Sequence, residues 1–290
     1  MNQSLTRQFF RFTIPTILSM VAFSLYTLVD GIFVAKGVGE TALAAVNLSS
    51  PYNSVMFAAG LLLAVGMSTT IAIRLGNGKH HEASSLFTRN LIVAVAVSIV
   101  ISVLTLLNLR SVAQFLGAEG DTLGYVMEYV GGVSPFAVFF ICSYNMEILV
   151  KTDGTPLLST IGVSLAGVTN LVLDWLFVMI FHWGVRGAAV ATGLAQVVST
   201  VLYLYYFAKR SKQLHFVKVS LKPLEFKIYR RTLPLGVADS ITEMSNGVVL
   251  FAFNQTILRL IGESGVVSYT VIGYVNTLVL MVMSGIAQGI

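Results

Sequence analysis

The sequence predicts an all-α polytopic membrane protein, and three observations carry that prediction. The 290 residues are 56% hydrophobic and only 11% charged, whereas a soluble domain is about a quarter charged. Mean hydropathy is +0.82. Uncharged runs recur along the chain, at Thr41–Ile73, Asn90–Leu109, Gly187–Ala208 and Ser264–Ile290, and a bilayer takes roughly 20 apolar residues to cross. A membrane barrel would instead show segments of about ten residues alternating with period two, and that pattern is absent.

Eight helices follow in order. The first is expected over 9–35. It opens behind Arg7 and Arg11, carries Pro15, and runs to Ala35 with no small-residue cleavage site. With further spans behind it, it is a retained span and not a signal peptide. The second, 42–73, lies in the longest uncharged run. The third, 87–109, and the fourth, 124–150, are separated by Arg110 and a short polar connection. The fifth, 157–181, follows "KTDGTP", and the sixth, 187–208, follows the aromatic boundary His182–Trp183. The seventh and eighth are expected over 232–260 and 265–290. Pro15, Pro135 and Pro234 fall inside helices, where neighbouring helices make bends tolerable.

Lys and Arg sort between alternate loops. The N-terminus, the connection with Arg74, Lys79 and Arg89, the one with Lys151, and the long "KRSKQLHFVKVSLKPLEFKIYRR" hold fourteen; Lys36, Arg110, Arg186 and Arg259 make four on the other side. Positive residues favour the cytoplasm, so the N-terminus and the basic loop are expected inside. The net charge of +5 is then mostly a topology signal. The basic loop suits an anionic lipid surface, and no nucleic-acid partner is expected. Cys142 is the only cysteine, which excludes an intrachain disulfide and a cysteine-based metal site. His80, His81 and His215 are expected in solvent, and Glu128 and Glu147 at the membrane boundaries.

An internal repeat is visible. "FRFTIP" (Phe10–Pro15) matches "YRRTLP" (Tyr229–Pro234) at an offset of 219 residues, and "GETALAA" (Gly39–Ala45) matches "GESGVVS" (Gly262–Ser268) at 223. An even unit of six helices makes the repeat parallel, with its pseudo-twofold axis along the membrane normal. The expected organisation is a six-helix lobe over 1–208, a basic linker over 209–231, and two helices of a second lobe over 232–290. A complete duplication would need roughly four more helices.

Within these spans the chemistry is sparse. "GVTNLVLDWLFVMIF" carries Asn170 and Asp174 one helical turn apart, hence on one face. Counting residues from the helix ends puts Asp30, Asn170, Asp174 and Thr192, from three different helices, roughly 8–17 Å below the outer surface. A carboxylate facing lipid is costly, so these groups face a partner or a cavity. Two carboxylates with amide and hydroxyl oxygens suit Na⁺. They suit a proton equally, because a desolvated carboxylic acid beside another carboxylate holds its proton more tightly. A plain polar clamp between helices remains the alternative. Asp239 and Glu243, also four apart, either line a second acidic site or sit near the inner surface.

Three function classes fit such a chain. A cation-coupled secondary transporter accounts for the repeat and the buried carboxylates, and no GxxxxGK[ST] stretch points to ATP. An intramembrane aspartyl enzyme would use Asp30 and Asp174, but the contexts "LVDG" and "VLDW" lack a Gly-x-Gly-Asp signature. A channel would call for a ring of pore charges, and the acids cluster in one half.

"LYTLVDGIFVAKGVGETALAAVNLSSP", "TNLVLDWLFV", "WGVRGAAVATGLAQVVS" and the closing "SGIAQGI" resemble the multidrug and toxin extrusion (MATE) family along the whole chain. The resemblance implies twelve helices in two lobes, of which this chain carries eight, and export of organic cations and drugs against entry of Na⁺ or H⁺, with no other cofactor. It implies no enzyme and places the protein in the plasma or inner membrane. It assigns a first-lobe cation site to Asp30, Asn170, Asp174 and Thr192, a second-lobe acidic role to Glu243, and a hinge to Pro15. A lipid-linked oligosaccharide flippase of the same superfamily is the neighbouring alternative. Its anionic carriers call for cationic residues in the cavity, and the spans here hold almost none.

Overall fold

The computed structural model describes residues 28–219 and 227–289. Among these residues there are helices and no strand. Helix α1 covers 28–37. It is followed by α2 (Glu40–Gly76), α3 (His80–Leu107), the short α4 (Leu109–Phe115), α5 (Gly120–Val133), α6 (Ala137–Thr152), α7 (Pro156–Asp174), α8 (Gly184–Lys209), α9 (Tyr229–Leu260) and α10 (Glu263–Gly289). Among the described residues, five stretches are long and apolar enough to cross a membrane: α2, α3, α5 with α6, α7 with the turn that follows it, and α8. The protein is a polytopic helical membrane protein. The Phe10–Pro15 half of the repeat, the hinge Pro15, and the start of the first helix lie outside the described residues.

The departures from the expected helices have local causes. The span expected over 124–150 is broken by a 3₁₀ turn at Ser134–Phe136, because Pro135 lacks an N–H and its ring crowds the preceding turn. Ser134 stabilises the break: its hydroxyl donates to the Val130 carbonyl at 2.6 Å and shares a 2.8 Å bond with the Tyr52 hydroxyl. The third span begins earlier than expected, at His80. Glu82 in its first turn pairs with Arg74 at 2.8 Å and Lys79 at 3.0 Å, which supports helix beyond the apolar stretch. Arg89, counted above with the loop, therefore lies inside α3 and is buried. His80, His81 and His215 are exposed, and so is Glu128. Glu147 is half-buried and paired with Lys151 at 2.9 Å.

Small residues let the helices approach closely, as is usual in membranes. A Cβ on Gly162 would overlap Tyr203, and one on Gly193 would overlap the Phe136 ring. Where α2 crosses α9, Gly66 faces the Thr232 carbonyl and Gly236 faces the Leu62 carbonyl, so the contact there is backbone on backbone. The second half of the repeat holds in three dimensions. Gly39 has φ 133° and precedes Glu40 at the start of α2; Gly262 has φ 89° and precedes Glu263 at the start of α10. A side chain would strain both positions.

The basic loop is not a free tether at its start. Residues 211–217 bend at Lys212 and Gln213 and lie against the bundle outside any helix, with Leu214 buried and the Phe216 ring 5.3 Å from that of Phe87.

Candidate functional site

Asp174 ends α7 and is 0% exposed; Asn170, one turn earlier, is 4% exposed. From α1, the Asp30 carboxyl faces that of Asp174. From α8 comes Thr192. Asn170 Nδ2 donates to Thr192 Oγ1 at 3.3 Å, and the Thr192 hydroxyl donates to the Ala188 carbonyl at 2.9 Å. The four residues grouped by depth in the sequence thus meet in one place, held by three helices.

Three more side chains close this site, and sequence reasoning missed them. Tyr129 of α5 is buried, with its phenol beside Asn53 of α2 and Thr192, and close to both carboxyl groups. Tyr274 of α10 approaches Asp30, its hydroxyl lying against Gly31. Tyrosines in apolar helices ordinarily serve as core or boundary anchors, so only three-dimensional contact distinguishes these two. Asn53, two residues after Pro51, carried the one usable signal: it is one of only two amides, with Asn47, in a 33-residue uncharged run.

The electrostatics of the site are unbalanced. Among the described residues, Asp30 Oδ1 and both carboxyl oxygens of Asp174 are shut off from solvent and accept no well-formed hydrogen bond; their nearest polar neighbours are each other and, for Asp174, Asn170. A buried carboxylate left in that condition is expensive. Two of them face to face cannot both stay ionised unless a cation lies between them; otherwise a proton must neutralise one. The surrounding donors are carboxyl, amide, hydroxyl and phenol oxygens, a hard set that fits an alkali cation better than a soft transition metal. The residues that could hold one are Asp30, Asp174, Asn170, Thr192, Asn53 and Tyr129.

Directly after Asp174 the helix widens into π winding over Trp175–Ile180. Such turns occur often at functional sites. Here the π turn buries Phe177 and Val178 and seats Val178 and Met179 against Gly37 of α1. The segment bearing Asp174 and the segment bearing Asp30 therefore touch beyond the carboxyl pair itself.

Glu243 is not part of this site. It is half-buried, beside Ser54 of α2 and near Tyr144 of α6. Asp239, one turn toward the basic end, is exposed.

The MatE family profile matches residues 15–176, more than half of the chain. The chain belongs to the multidrug and toxin extrusion family. Among curated MATE relatives, the multidrug export protein MepA of Staphylococcus haemolyticus is 22% identical over 289 residues, covering 100% of this chain and 64% of that protein. MepA of Staphylococcus saprophyticus is 24% identical over 210 residues, covering 72% of this chain and 47% of that protein. The chain thus spans about half to two thirds of the length of these MATE relatives. A MATE transporter solved in an inward-facing conformation superposes with TM-score 0.85 at 26% identity, over 94% of this chain and 63% of that one. The MATE multidrug transporter DinF-BH, solved in complex with a dye, superposes with TM-score 0.87 at 25% identity, over 99% of this chain and 64% of that one.

Proposed function

We propose that this chain is the first lobe and the beginning of the second lobe of a secondary active exporter, moving organic cations out of the cell in exchange for Na⁺ or protons. One observation carries this reading: Asp30 and Asp174 face each other inside the helical bundle, and among the described residues three of their oxygens are sealed from solvent and accept no well-formed hydrogen bond. Such a pair has a built-in demand for a cation or a proton. The export function in the name of MepA and the dye bound to DinF-BH support drug-like substrates.

The steps follow from charge. With the cleft open to the outside, Na⁺ or H⁺ enters among Asp30, Asn170, Asp174 and Thr192. Neutralising the carboxyl pair removes the repulsion between α1 and α7, and the first span shifts, with Pro15 taken as the hinge from the family resemblance. The shift weakens the hold on a bound organic cation, which leaves outward. Glu243, with Asp239 a turn away, is the acidic position we assign to the second lobe. By the positive-inside rule the basic end and the N-terminus face the cytoplasm, in the plasma or inner membrane. No nucleotide or organic cofactor takes part.

The test is accumulation of a fluorescent lipophilic cation in cells expressing the protein from its full reading frame. Accumulation well below that of empty-vector cells, lost when the Na⁺ or proton gradient is collapsed, supports the proposal. Equal accumulation in both overturns it.

The phenol of Tyr129 gives a finer prediction. Tyr129→Phe removes one hydroxyl beside Asn53 and Thr192 and leaves the carboxyl pair in place. Leaving a buried polar partner unpaired costs about 1–3 kcal/mol, so the Na⁺ or proton concentration for half-maximal efflux should rise by roughly five- to a hundredfold with the maximal rate little changed. A titration of efflux against the coupling ion checks this; an unchanged midpoint would remove Tyr129 from the site.

A further inference from the structure

Asp153 is a buried carboxylate that the transport mechanism does not use. It follows α6 in the connection to α7 and is 0% exposed. It accepts five hydrogen bonds, all from partners about 50–60 residues further along the chain. Its Oδ2 accepts from the Tyr206 hydroxyl at 2.6 Å, the Ser211 hydroxyl at 3.0 Å and the Lys212 N–H at 2.9 Å. Its Oδ1 accepts from the N–H groups of Gln213 at 2.9 Å and Leu214 at 2.8 Å. Three consecutive backbone N–H groups thus converge on one carboxylate, and charge-assisted bonds of this kind are about twice as strong as neutral ones.

The chain continues along α3 in the same manner. The His215 N–H donates to Ser84 Oγ and the Val217 N–H to Thr88 Oγ1, both at 3.2 Å. Lys212 Nζ reaches back to the Gly154 carbonyl at 3.2 Å. A segment outside any helix, with no strand beside it, would leave its N–H groups to water. Here side chains of the first lobe take five of them, and Leu214 fills the space beneath.

We propose that residues 211–217 are a strap built into the first lobe, with Asp153 as its anchor, so that the joint between the two lobes begins only after Val217. The part of the linker that spans the lobes is correspondingly shorter. Nine residues, 218–226, reach at most roughly 30 Å when fully extended, whereas releasing the strap would add seven more, or about 25 Å. In the exporter reading, on which this consequence rests, the anchor confines how far the second lobe travels from the first. The strap itself needs no transport to be tested.

The experiment is hydrogen–deuterium exchange of the purified protein in lipid nanodiscs. Wild type should protect the amides of Lys212, Gln213, Leu214, His215 and Val217. Asp153→Asn keeps the side-chain volume but turns an NH₂ toward the converging donors, and Asp153→Ala removes the acceptor. Both should speed exchange at 212–214 by at least about tenfold, with α6 and α7 amides unchanged. If the Asp153 variants fail to fold, Ser84→Ala combined with Thr88→Val should release 215–217 while 212–214 stay protected. Wild-type exchange at 212–217 as fast as in an unstructured peptide overturns the proposal. So does protection at 212–214 unchanged in both Asp153 variants, or a Ser84/Thr88 variant that exchanges as wild type does.

Discussion

Replacing Asp174 with Asn is expected to abolish efflux of a lipophilic cation while leaving the protein at wild-type abundance in the membrane. Asparagine fits the same space, so the packing of α7 against α1 and α8 is kept. What it lacks is the negative charge that draws in the coupling cation. The variant resembles the neutralised state permanently: the repulsion between the Asp30 and Asp174 carboxyl groups no longer alternates with occupancy. Dye accumulation should return to within about twofold of empty-vector cells, because coupling between the ion and the organic cation is lost. Asp30→Asn should act in the same direction, and the double variant should be no worse than either alone, since residues acting as one unit are not additive. Efflux at wild-type rate in Asp174→Asn would remove the pair from the mechanism.

Gly236→Val is expected to have the largest effect on stability. At the α2–α9 crossing a Cβ on Gly236 would run into the Leu62 carbonyl, and across the same contact Gly66 faces the Thr232 carbonyl. A backbone carbonyl cannot rotate aside as a side chain can, so the two helices would have to part along their length. Overpacking costs about 1–3 kcal/mol where side chains give way, and more is expected here. The purified variant should melt several degrees lower than wild type and yield less monodisperse material. Gly124→Ala is the control, because nothing lies within 4 Å of the added Cβ and its melting temperature should not move. Equal melting of Gly236→Val and wild type would show that α2 and α9 do not cross at these glycines.

Much of this arrangement is legible in the sequence because the bilayer imposes strict rules. Helix length and the scarcity of charge mark the spans, and depth along three helices is enough to group Asp30, Asn170, Asp174 and Thr192. Depth says nothing about azimuth, however. That is why Tyr129, Asn53 and Tyr274 escape a reading by depth: each belongs to a helix whose facing side is chosen by packing against its neighbours. The π turn after Asp174 is hidden for a related reason, since "WLFVMI" is as apolar as an α-helical turn and only backbone bonds such as that from the Phe181 N–H to the Leu176 carbonyl, five residues back, reveal the extra residue. Arg89 falls in the loop if charge alone ends a span; the Arg74–Glu82 and Lys79–Glu82 pairs carry α3 past that point. Asp239 and Glu243 look equivalent at four residues apart, yet the turn of α9 leaves one exposed and puts the other beside Ser54. The docked strap has no pattern to betray it, because its bonds join a carboxylate to backbone N–H groups that every residue but proline possesses.

The most direct test of the carboxyl pair as the coupling site is ion release from purified protein. A lipophilic organic cation is added to the protein in weakly buffered detergent solution, while protons are followed with a pH-sensitive dye and Na⁺ with an ion-selective electrode. Wild type should release about one proton or one Na⁺ for each organic cation bound, and Asp174→Asn should release none. Equal release from both would contradict a coupling site at Asp30 and Asp174.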